Sequence, residues 1–444
     1  MSVEQPSSDA APNSAANSLA SPAAAAASSA EPAQQTGVMK APGFLAFLLA
    51  RLASVLAMHM QAVVVAWQVY DITQDAMSLA YVGLAQFLPM LLLLVPAGDL
   101  IDRFSRKTIL ALSWGVSALC SAMLWFLASY PQHGVGWIYV VLMLFGCSRA
   151  FTGPALQSLL PQLVPRAQLA QALATNGMLM RASTIGGPMM GGFLYKYGGA
   201  MTYAVCFACF VLALLLLTRV AVLYANTKPL AAGTAGGLLQ MWQRFGAGVQ
   251  FIRKHPIILG TISLDLFAVL LGGVVALLPI YAKDVLHVGP EGLGLLRSAM
   301  GVGEIVMGLY LARKPFNHHV GMTMFTAVAV FGLANLVFSL SSLFWLSFAA
   351  LLVAGAADMV SVYIRSALVQ FSTPDAMRGR VNAVNMLFVG SSNELGEFRA
   401  GTSAAWFGAV PAAVLGSVGT VAVVGLWMWR FPSLRRVKKF EDAA

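Results

Sequence analysis

The sequence contains few charged residues for its length, and this scarcity excludes a water-soluble protein. Asp, Glu, Lys and Arg make up only 10% of the 444 residues, whereas a soluble domain contains about a quarter. Hydrophobic residues make up 59%, and the mean hydropathy is +0.76. Apolar runs of roughly 20 residues, the length that crosses a hydrocarbon core, recur along nearly the whole chain. The composition therefore predicts an all-α membrane protein with many spans.

The chain also lacks the residues that several kinds of site need. Its four cysteines all fall within apolar runs, so no disulfide framework is predicted. Cys206 and Cys209 form a C-x-x-C pair, but the segment "YAVCFACFVLALLLL" offers no other ligand. We interpret both as small helix-packing residues and expect no metal site. The G-x-x-x-x-G-K-[ST] phosphate loop is missing as well, so we expect no cofactor and no use of ATP.

Twelve membrane spans are predicted, six on each side of a polar break. Their expected limits are 44–69, 77–98, 108–129, 136–160, 168–194, 201–224, 257–281, 290–312, 321–341, 343–370, 382–408 and 410–430. With both termini placed in the cytoplasm, the cytoplasmic segments hold 19 Lys and Arg, and the outer loops hold only Lys196 and Lys283. This asymmetry follows the positive-inside rule. The net charge of +10 therefore records topology, and no nucleic-acid partner is expected.

Polar segments flank the two groups of spans. The predicted organisation is a disordered cytoplasmic tail at 1–40, a six-helix bundle at 41–225, a cytoplasmic linker at 226–256, a second bundle at 257–431 and a basic cytoplasmic tail at 432–444. The first tail is rich in Ala, Ser and Pro and lacks the basic start and apolar core of a signal peptide. The linker contains "LLQMWQRFGAGVQFIRKH", for which we predict an amphipathic helix along the membrane surface.

The two halves repeat each other when the sequence is shifted by 209 residues. The shift aligns Gly146 with Gly355, Pro165 with Pro374, Asn176 with Asn385, Gly187 with Gly396 and Gly192 with Gly401. Internal repeats of this kind are typical of transporters whose binding site lies near the midplane, between two related units. We therefore predict two pseudo-symmetric six-helix bundles around a central cavity.

Three motifs resemble those of the major facilitator superfamily. The segment "GDLIDRFSRK", from Gly98 to Lys107, is similar to that family's signature loop between spans two and three, G-x-L-A-D-R-x-G-R-K. "RAFTG", from Arg149 to Gly153, resembles the R-x-x-x-G motif of its proton-coupled drug antiporters. "GPMMGG" at 187–192 resembles the antiporter motif G-P-x-x-G-G, with Gly187, Pro188, Gly191 and Gly192 at the matching positions.

The phrases "MQAVVVAWQVYDIT", "TPDAMRGRVNAVN" and "SNELGEF" further resemble the branch that contains the enterobactin exporter and related macrolide efflux pumps. This resemblance implies proton-driven efflux across a bacterial inner membrane. It also implies that Asp102 and Arg106 form a latch that closes the inner ends of the bundles. Gly98 would allow a tight exit from the helix, while Arg103 and Lys107 hold the loop in the cytoplasm. The alternative is that this loop acts only as a topology signal.

Eleven charged residues are placed inside the predicted spans. The acidic ones are Asp265, Glu304, Asp358, Glu394 and Glu397, and the basic ones are Arg51, Arg149, Arg181, Arg297, Arg365 and Arg399. A lone charge at the bilayer centre costs at least about 2.5–3.5 kcal/mol on insertion scales. These side chains must therefore face a wet cavity or one another. Glu394 and Glu397 share one helical face, whereas charges seven apart on one helix are too distant to bond and are expected to pair across helices. Such pairs could also serve packing alone.

Asp265 is the first candidate for the proton-carrying group. No basic residue lies within eight positions of it on its own helix, and removal from water favours the neutral form of a carboxylic acid. Glu397 and Glu394 follow, with Arg149 as the cation that modulates them. Trp67 is a candidate substrate contact.

We predict a non-enzymatic secondary transporter that exports a siderophore or similar amphiphilic small molecule by proton antiport and alternating access. The alternatives are a multidrug or macrolide efflux pump, an uptake symporter, and a membrane receptor or scaffold without transport. The expected partners are the small-molecule substrate, protons, the lipid bilayer and a periplasmic or outer-membrane export partner.

Overall fold

The chain is built from long helices, as its composition predicts. The computed structural model describes residues 39, 42–221 and 238–443. The helices in these residues are α1 (Phe44–Thr73), α2 (Ala76–Arg103), α3 (Arg106–Ser129), α4 (Val135–Leu159), α5 (Leu169–Tyr195), α6 (Gly199–Thr218), α7 (Leu238–Lys254), α8 (Pro256–Gly272), α9 (Gly289–Arg313), α10 (Val320–Leu340), α11 (Phe344–Phe371), α12 (Asp375–Phe407), α13 (Ala409–Arg430) and α14 (Pro432–Arg436). The predicted tail at 1–40 lies outside the described residues, apart from Met39.

Length and hydropathy confirm a protein with many membrane spans. Within the described residues, ten helical segments are long and apolar enough to cross a bilayer. Helices α5 and α12 are as long as these ten but more polar, and α12 carries Glu394, Glu397 and Arg399. With these two, the long helices match the twelve predicted spans.

The internal repeat is visible in how equivalent glycines pack. A Cβ atom on Gly146 of α4 would lie 2.3 Å from the carbonyl oxygen of Gln86 on α2. A Cβ atom on Gly355 of α11 would lie 2.0 Å from the carbonyl oxygen of Met300 on α9. Only glycine allows backbones to approach so closely. The contact between α4 and α2 in the first half therefore recurs between α11 and α9 in the second.

The two halves meet along two helix pairs, α5 with α9 and α2 with α12. These seams also use glycines that the repeat aligns. A Cβ atom on Gly192 would lie 2.4 Å from the carbonyl oxygen of Pro290, and one on Gly401 would lie 2.8 Å from the backbone nitrogen of Ala80. Both contacts lie toward the end of the bundle that carries the turn between α1 and α2, residues 74–75. We call this end the packed end.

The seventh span departs from the prediction of one continuous helix over 257–281. Helix α8 ends at Gly272 and is followed by a 3-10 turn at Val275–Leu277, a helical turn at Leu278–Ile280 and a π-helical turn at Tyr281–Val285. Adjacent glycines at the break favour a helix end. Arg399 of α12 donates hydrogen bonds to the carbonyl oxygens of Leu270 (2.9 Å) and Leu271 (2.5 Å). This charge therefore satisfies the carbonyl groups that a helix end leaves without partners.

The polar segments between and after the halves also pack against the bundle. Helix α7, within the predicted linker, contacts α8 and α12, and Ile252 is buried with Val381 and Val384. After α14, the backbone nitrogen of Gly321 donates to the carbonyl oxygen of Val437 at 3.0 Å. These contacts attach both segments to the second half. The position of α7 along a membrane surface stays a prediction.

Candidate functional site

A cavity of about 180 Å³ lies between the two halves. Helices α1, α2 and α4 line it from the first half, and α9, α12 and the break after α8 line it from the second. Its polar lining consists of His59, Gln86, Arg149, Arg297, Glu394 and Glu397. We call this space the central cavity. It brings together two carboxylates and two guanidinium groups, so the opposite charges are balanced in number.

One ion pair crosses the central cavity from one half to the other. The Nη2 atom of Arg149 on α4 lies 3.4 Å from Oε1 of Glu394 on α12. Nη1 of Arg149 donates to the side-chain oxygen of Gln86 on α2, also at 3.4 Å. The two charged side chains are 30% and 17% exposed. The pair that joins the two halves is therefore only partly buried.

Glu397 lies one helical turn from Glu394 on the same face of α12, as the spacing of the two residues predicts. Its Cβ atom lies 3.9 Å from the position of a Cβ atom on Gly83, at the contact between α2 and α12. It shares the central cavity with the guanidinium groups of Arg149 and Arg297 and with the carboxyl group of Glu394. The two carboxyl groups therefore lie next to each other in the lining of the central cavity.

Asp265 lies elsewhere and has a partner that the sequence does not place beside it. It forms an ion pair with Arg365 of α11, and the two side chains are only 6% and 7% exposed. The premise that Asp265 is isolated therefore does not hold across helices, although it holds along α8. Neither residue lines the central cavity. A sealed pair of this kind fits a packing role better than proton exchange, since removing one partner would leave a buried charge.

The remaining intramembrane charges are divided among three further places. Arg181 of α5 pairs with Glu304 of α9 across the other seam, and Asp358 of α11 lies near both. Of the charges seven apart on one helix, Glu304 and Arg365 pair across helices as expected. Among the described residues, Asp358 and Arg297 form no ion pair. Arg399 caps the break after α8. Arg51 is partly buried in α1, outside the cavity lining.

The glycine motif at 187–192 packs α5 against two helices at once. A Cβ atom on Gly187 would lie 2.4 Å from Cβ of His59 on α1, and one on Gly191 would lie 2.9 Å from the carbonyl oxygen of Met60. On the other side of α5, the carbonyl oxygen of Pro188 approaches Gly294 of α9. Close helix approach, which the G-x-x-x-G spacing predicts, is therefore what this motif provides here.

The loop after α2 is short and attaches to α6. Only Phe104 and Ser105 separate α2 from α3, and Nζ of Lys107 donates to the carbonyl oxygens of Thr218 (3.2 Å) and Val220 (2.7 Å). A cation at a helix C-terminus is favourable because the last carbonyl groups carry partial negative charge. Gly98 and Arg103 lie in the last turns of α2. The latch between Asp102 and Arg106 stays a prediction, since the Asp102 side chain is outside the described parts of the chain.

Two residues of the cavity were not among the leading candidates. Gln86 is a lone amide in the apolar segment "AYVGLAQFLPM", and this is the signal that could have identified it. His59 gave the same signal and lines the cavity. Trp67, by contrast, is 8% exposed, packs edge-on against Tyr195 with ring centroids 6.5 Å apart and does not line the cavity. Within the described residues, no cluster of three or more His, Cys, Asp or Glu could hold a metal ion.

Comparison with known proteins identifies the class. The transmembrane secretion effector family, a family of the major facilitator superfamily, matches residues 37–443, and the chain belongs to this family. It is 27% identical over 403 residues to the enterobactin exporter of Citrobacter koseri, covering 90% of this chain and 94% of the relative. It is 26% identical to the enterobactin exporter of Escherichia coli O1:K1 / APEC, covering 77% and 80%.

Solved structures show the same fold at low identity. A nucleoside transporter superposes with a TM-score of 0.67 at 13% identity, covering 88% of this chain and all of the other. A D-xylose–proton symporter gives 0.66 at 14%, covering 89% and 98%. A bacterial homologue of the iron transporter ferroportin gives 0.64 at 16%, covering 87% and 98%. The protein is therefore a major facilitator superfamily transporter of the bacterial inner membrane with a small-molecule substrate, and it is not an enzyme.

Proposed function

We propose that this transporter exports an amphiphilic small molecule of the siderophore class, driven by proton antiport and alternating access. The observation that carries the proposal is the ion pair between Arg149 and Glu394 in the central cavity. This pair joins the two halves at the place where a substrate between them would bind. The distribution of Lys and Arg supports a cytoplasmic location for both termini, and with that orientation the packed end faces the periplasm.

Protons and bundle movement are linked through this pair in three steps. Protonation of Glu394 or Glu397 removes a negative charge facing Arg149, which weakens the contact that holds α4 to α12. The halves can then separate at the level of the central cavity. They close again after the proton has left to the opposite side of the membrane. One proton moving down 100 mV supplies about 2.3 kcal/mol, which is enough for roughly a fiftyfold gradient of an uncharged cargo.

The cavity lining suits a cargo with both polar and apolar surfaces. Beside its charged groups it contains Met58, Val82 and Phe145, so hydroxyl or amide groups and an aromatic face could be bound at once. The curated relatives are named as enterobactin exporters, which supports the siderophore class. A macrolide or other drug is the second candidate, because the same apolar lining would accept it. A periplasmic or outer-membrane export partner remains part of this proposal.

Transport by purified protein in proteoliposomes tests the proposal. An iron-free catecholate siderophore should be driven across the membrane by an imposed pH gradient in the wild type. Glu397→Gln should lose the response to the gradient by at least about tenfold while the protein stays folded, since glutamine keeps the shape but cannot titrate. Glu441→Gln is the matched control, because this acid is exposed in the terminal turn after α14.

Several outcomes would contradict the proposal. Gradient-driven movement of a macrolide but not of the siderophore would favour the drug pump, and uptake in the direction of the proton flow would favour a symporter. The absence of any transport by the wild type would favour a receptor or scaffold. Unchanged coupling in Glu397→Gln would remove this glutamate from the mechanism.

A further inference from the structure

A second group of titratable side chains lies outside the central cavity, on the other seam between the halves. Arg181 of α5 forms an ion pair with Glu304 of α9. Asp358 of α11 lies close enough to both residues to interact with them electrostatically. We call these three residues the second charge site. The function proposed above does not use it.

The packing of α9 against α11 explains why the two acids are close. A Cβ atom on Gly303 would lie 2.0 Å from the carbonyl oxygen of Leu352 and 2.8 Å from the nitrogen of Ala356. One turn along, a Cβ atom on Gly308 would lie 3.5 Å from the methyl carbon of Met359. These contacts place Asp358 level with the segment of α9 that follows Gly303, where Glu304 lies.

The internal repeat relates the second charge site to the central cavity. The shift of 209 residues aligns Arg149 with Asp358, so α4 and α11 carry their charged groups at the same position. Arg149 lies between α2 and α12, and Asp358 lies between α9 and α5, which are the corresponding helices of the repeat. The two sites therefore have the same three-helix construction, with an acid on α11 where α4 carries a base.

The charges of the second site are not balanced. One guanidinium group faces two carboxyl groups, and among the described residues no cation lies within ion-pair distance of Asp358. The other helices packed against α11 do not change this balance. Helix α10 has no charged residue, and the only acid of α8, Asp265, is paired with Arg365. The remaining charged groups of α9 lie at 291, 297 and 313, and Glu441 and Asp442 lie in the terminal turn after α14.

The second charge site is partly exposed on one side. The side chains of Arg181 and Glu304 are 44% and 24% exposed. Toward the packed end, the seam is closed by the contact of Ser298 with the carbonyl oxygen of Ile185 at 2.8 Å and by Gly294 against Pro188. The pair thus lies at the accessible edge of a tightly packed seam.

We propose that Glu304 and Asp358 form a second proton-binding site, in which one proton takes the place of the missing second cation. Ionising both of two adjacent carboxyl groups is unfavourable when only one cation faces them and the site is partly removed from water. Arg181 belongs to the other half, so movement of α5 along α9 changes its distance from the two acids and determines whether the proton stays. The site is thereby linked to the same change of state as the central cavity, and transport uses more protons than the central carboxyl groups supply.

Infrared spectroscopy of the purified full-length protein in lipid nanodiscs tests this without any cargo. A protonated carboxyl group has a carbonyl band distinct from that of a carboxylate. At neutral pH, Asp358→Asn should remove one such band that persists in Asp75→Asn, a matched acid that is exposed and caps the start of α2. Glu304→Gln should remove the same band, because Asp358 would then have Arg181 to itself. This second variant keeps the test valid if the first fails to fold.

Three results would overturn the proposal. The first is an unchanged band in both variants, which would mean that the site only fixes packing. The second is loss of the wild-type band on replacing potassium with sodium, which would mean that the acids bind a metal cation. The third concerns transport in proteoliposomes, where the dependence of siderophore accumulation on the pH gradient should fall to about half its steepness in Asp358→Asn. Unchanged steepness would contradict a second coupled proton.

The inference rests on the proposed transport function only in that last measurement. If the wild type moved no siderophore, the proposed function would fail, and the infrared result would still decide whether the second charge site binds a proton.

Discussion

At the scale of single residues, intramembrane charges of the same type have different surroundings and should have different roles. Glu394 and Glu397 face a cavity shared by the halves, whereas Asp265 is sealed against Arg365 within the second half. A group that carries protons must be reached by water, and a group that fixes packing need not be. Position relative to the cavity therefore separates the two classes better than residue type does.

Replacing Asp265 should lower stability first and transport only as a consequence. Asp265→Asn leaves the Arg365 charge buried without a counter-charge, which typically costs about 3–5 kcal/mol. We expect a clear fall in the thermal unfolding temperature measured in detergent, where Glu397→Gln should remain close to the wild type.

The double variant Asp265→Leu with Arg365→Met provides the control for that prediction. Replacing a whole buried pair by apolar groups is often neutral or stabilising, so the unfolding temperature should recover. If Asp265→Asn instead unfolded like the wild type and lost only its response to the proton gradient, Asp265 would be a proton carrier, as the sequence alone suggested.

At the scale of helices, much of the architecture could be predicted, because hydropathy and spacing are local properties. The expected span 168–194 corresponds to Leu169–Tyr195, and 410–430 corresponds to Ala409–Arg430. The break after Gly272 was not predicted, although the adjacent glycines indicate it. Its stabilisation depends on Arg399, which comes from a distant helix. The partner of Asp265 was missed for the same reason, since Arg365 lies 100 positions away in the sequence.

The seam between α5 and α9 should tolerate no side chain at Gly192. A Cβ atom there would lie 2.4 Å from the carbonyl oxygen of Pro290 and 3.0 Å from Cα of Gly294, and these backbone atoms cannot move aside as a side chain can. Overpacking of this kind costs about 1–3 kcal/mol, which corresponds to a shift of roughly five- to 150-fold between two states. Gly192→Ala should therefore favour states in which the packed end is open.

Accessibility of the cavity from the packed end measures that shift. A cysteine in place of Leu79, which lines the cavity near this end, should react faster with a membrane-impermeant thiol reagent in Gly192→Ala than in the parent. Gly177→Ala on the same helix is the matched control, because nothing lies within 4 Å of its Cβ position. Equal reaction rates in both variants would show that the seam does not control this opening.

At the scale of the whole molecule, the two halves are held together differently along their length. Glycine contacts close the seams toward the packed end, and charged pairs bridge the halves at the level of the central cavity and of the second charge site. A further group joins α1 to the π-helical turn that follows the broken span. Lys283 pairs with Asp71, and the hydroxyl group of Tyr70 donates to Asp284. Polar contacts are easier to exchange than interlocked backbones, so this outer group is suited to break first when the packed end opens.

Breaking the pair between Asp71 and Lys283 should make the packed end open more often. The two side chains are 47% and 26% exposed, and a pair open to solvent contributes about 0.2–1 kcal/mol. The ratio of closed to open molecules should therefore fall by roughly 1.4- to fivefold in Lys283→Gln. Spin labels replacing Trp137 on the first half and Trp345 on the second, both exposed near this end, would report the change as a larger share of long distances.

The exchanged variant Asp71→Lys with Lys283→Asp restores the attraction and should restore the wild-type distribution. If the exchanged variant opened as much as the single one, the effect would come from lost packing around Tyr70, and attraction between the two charges would not be what holds the halves together at this end.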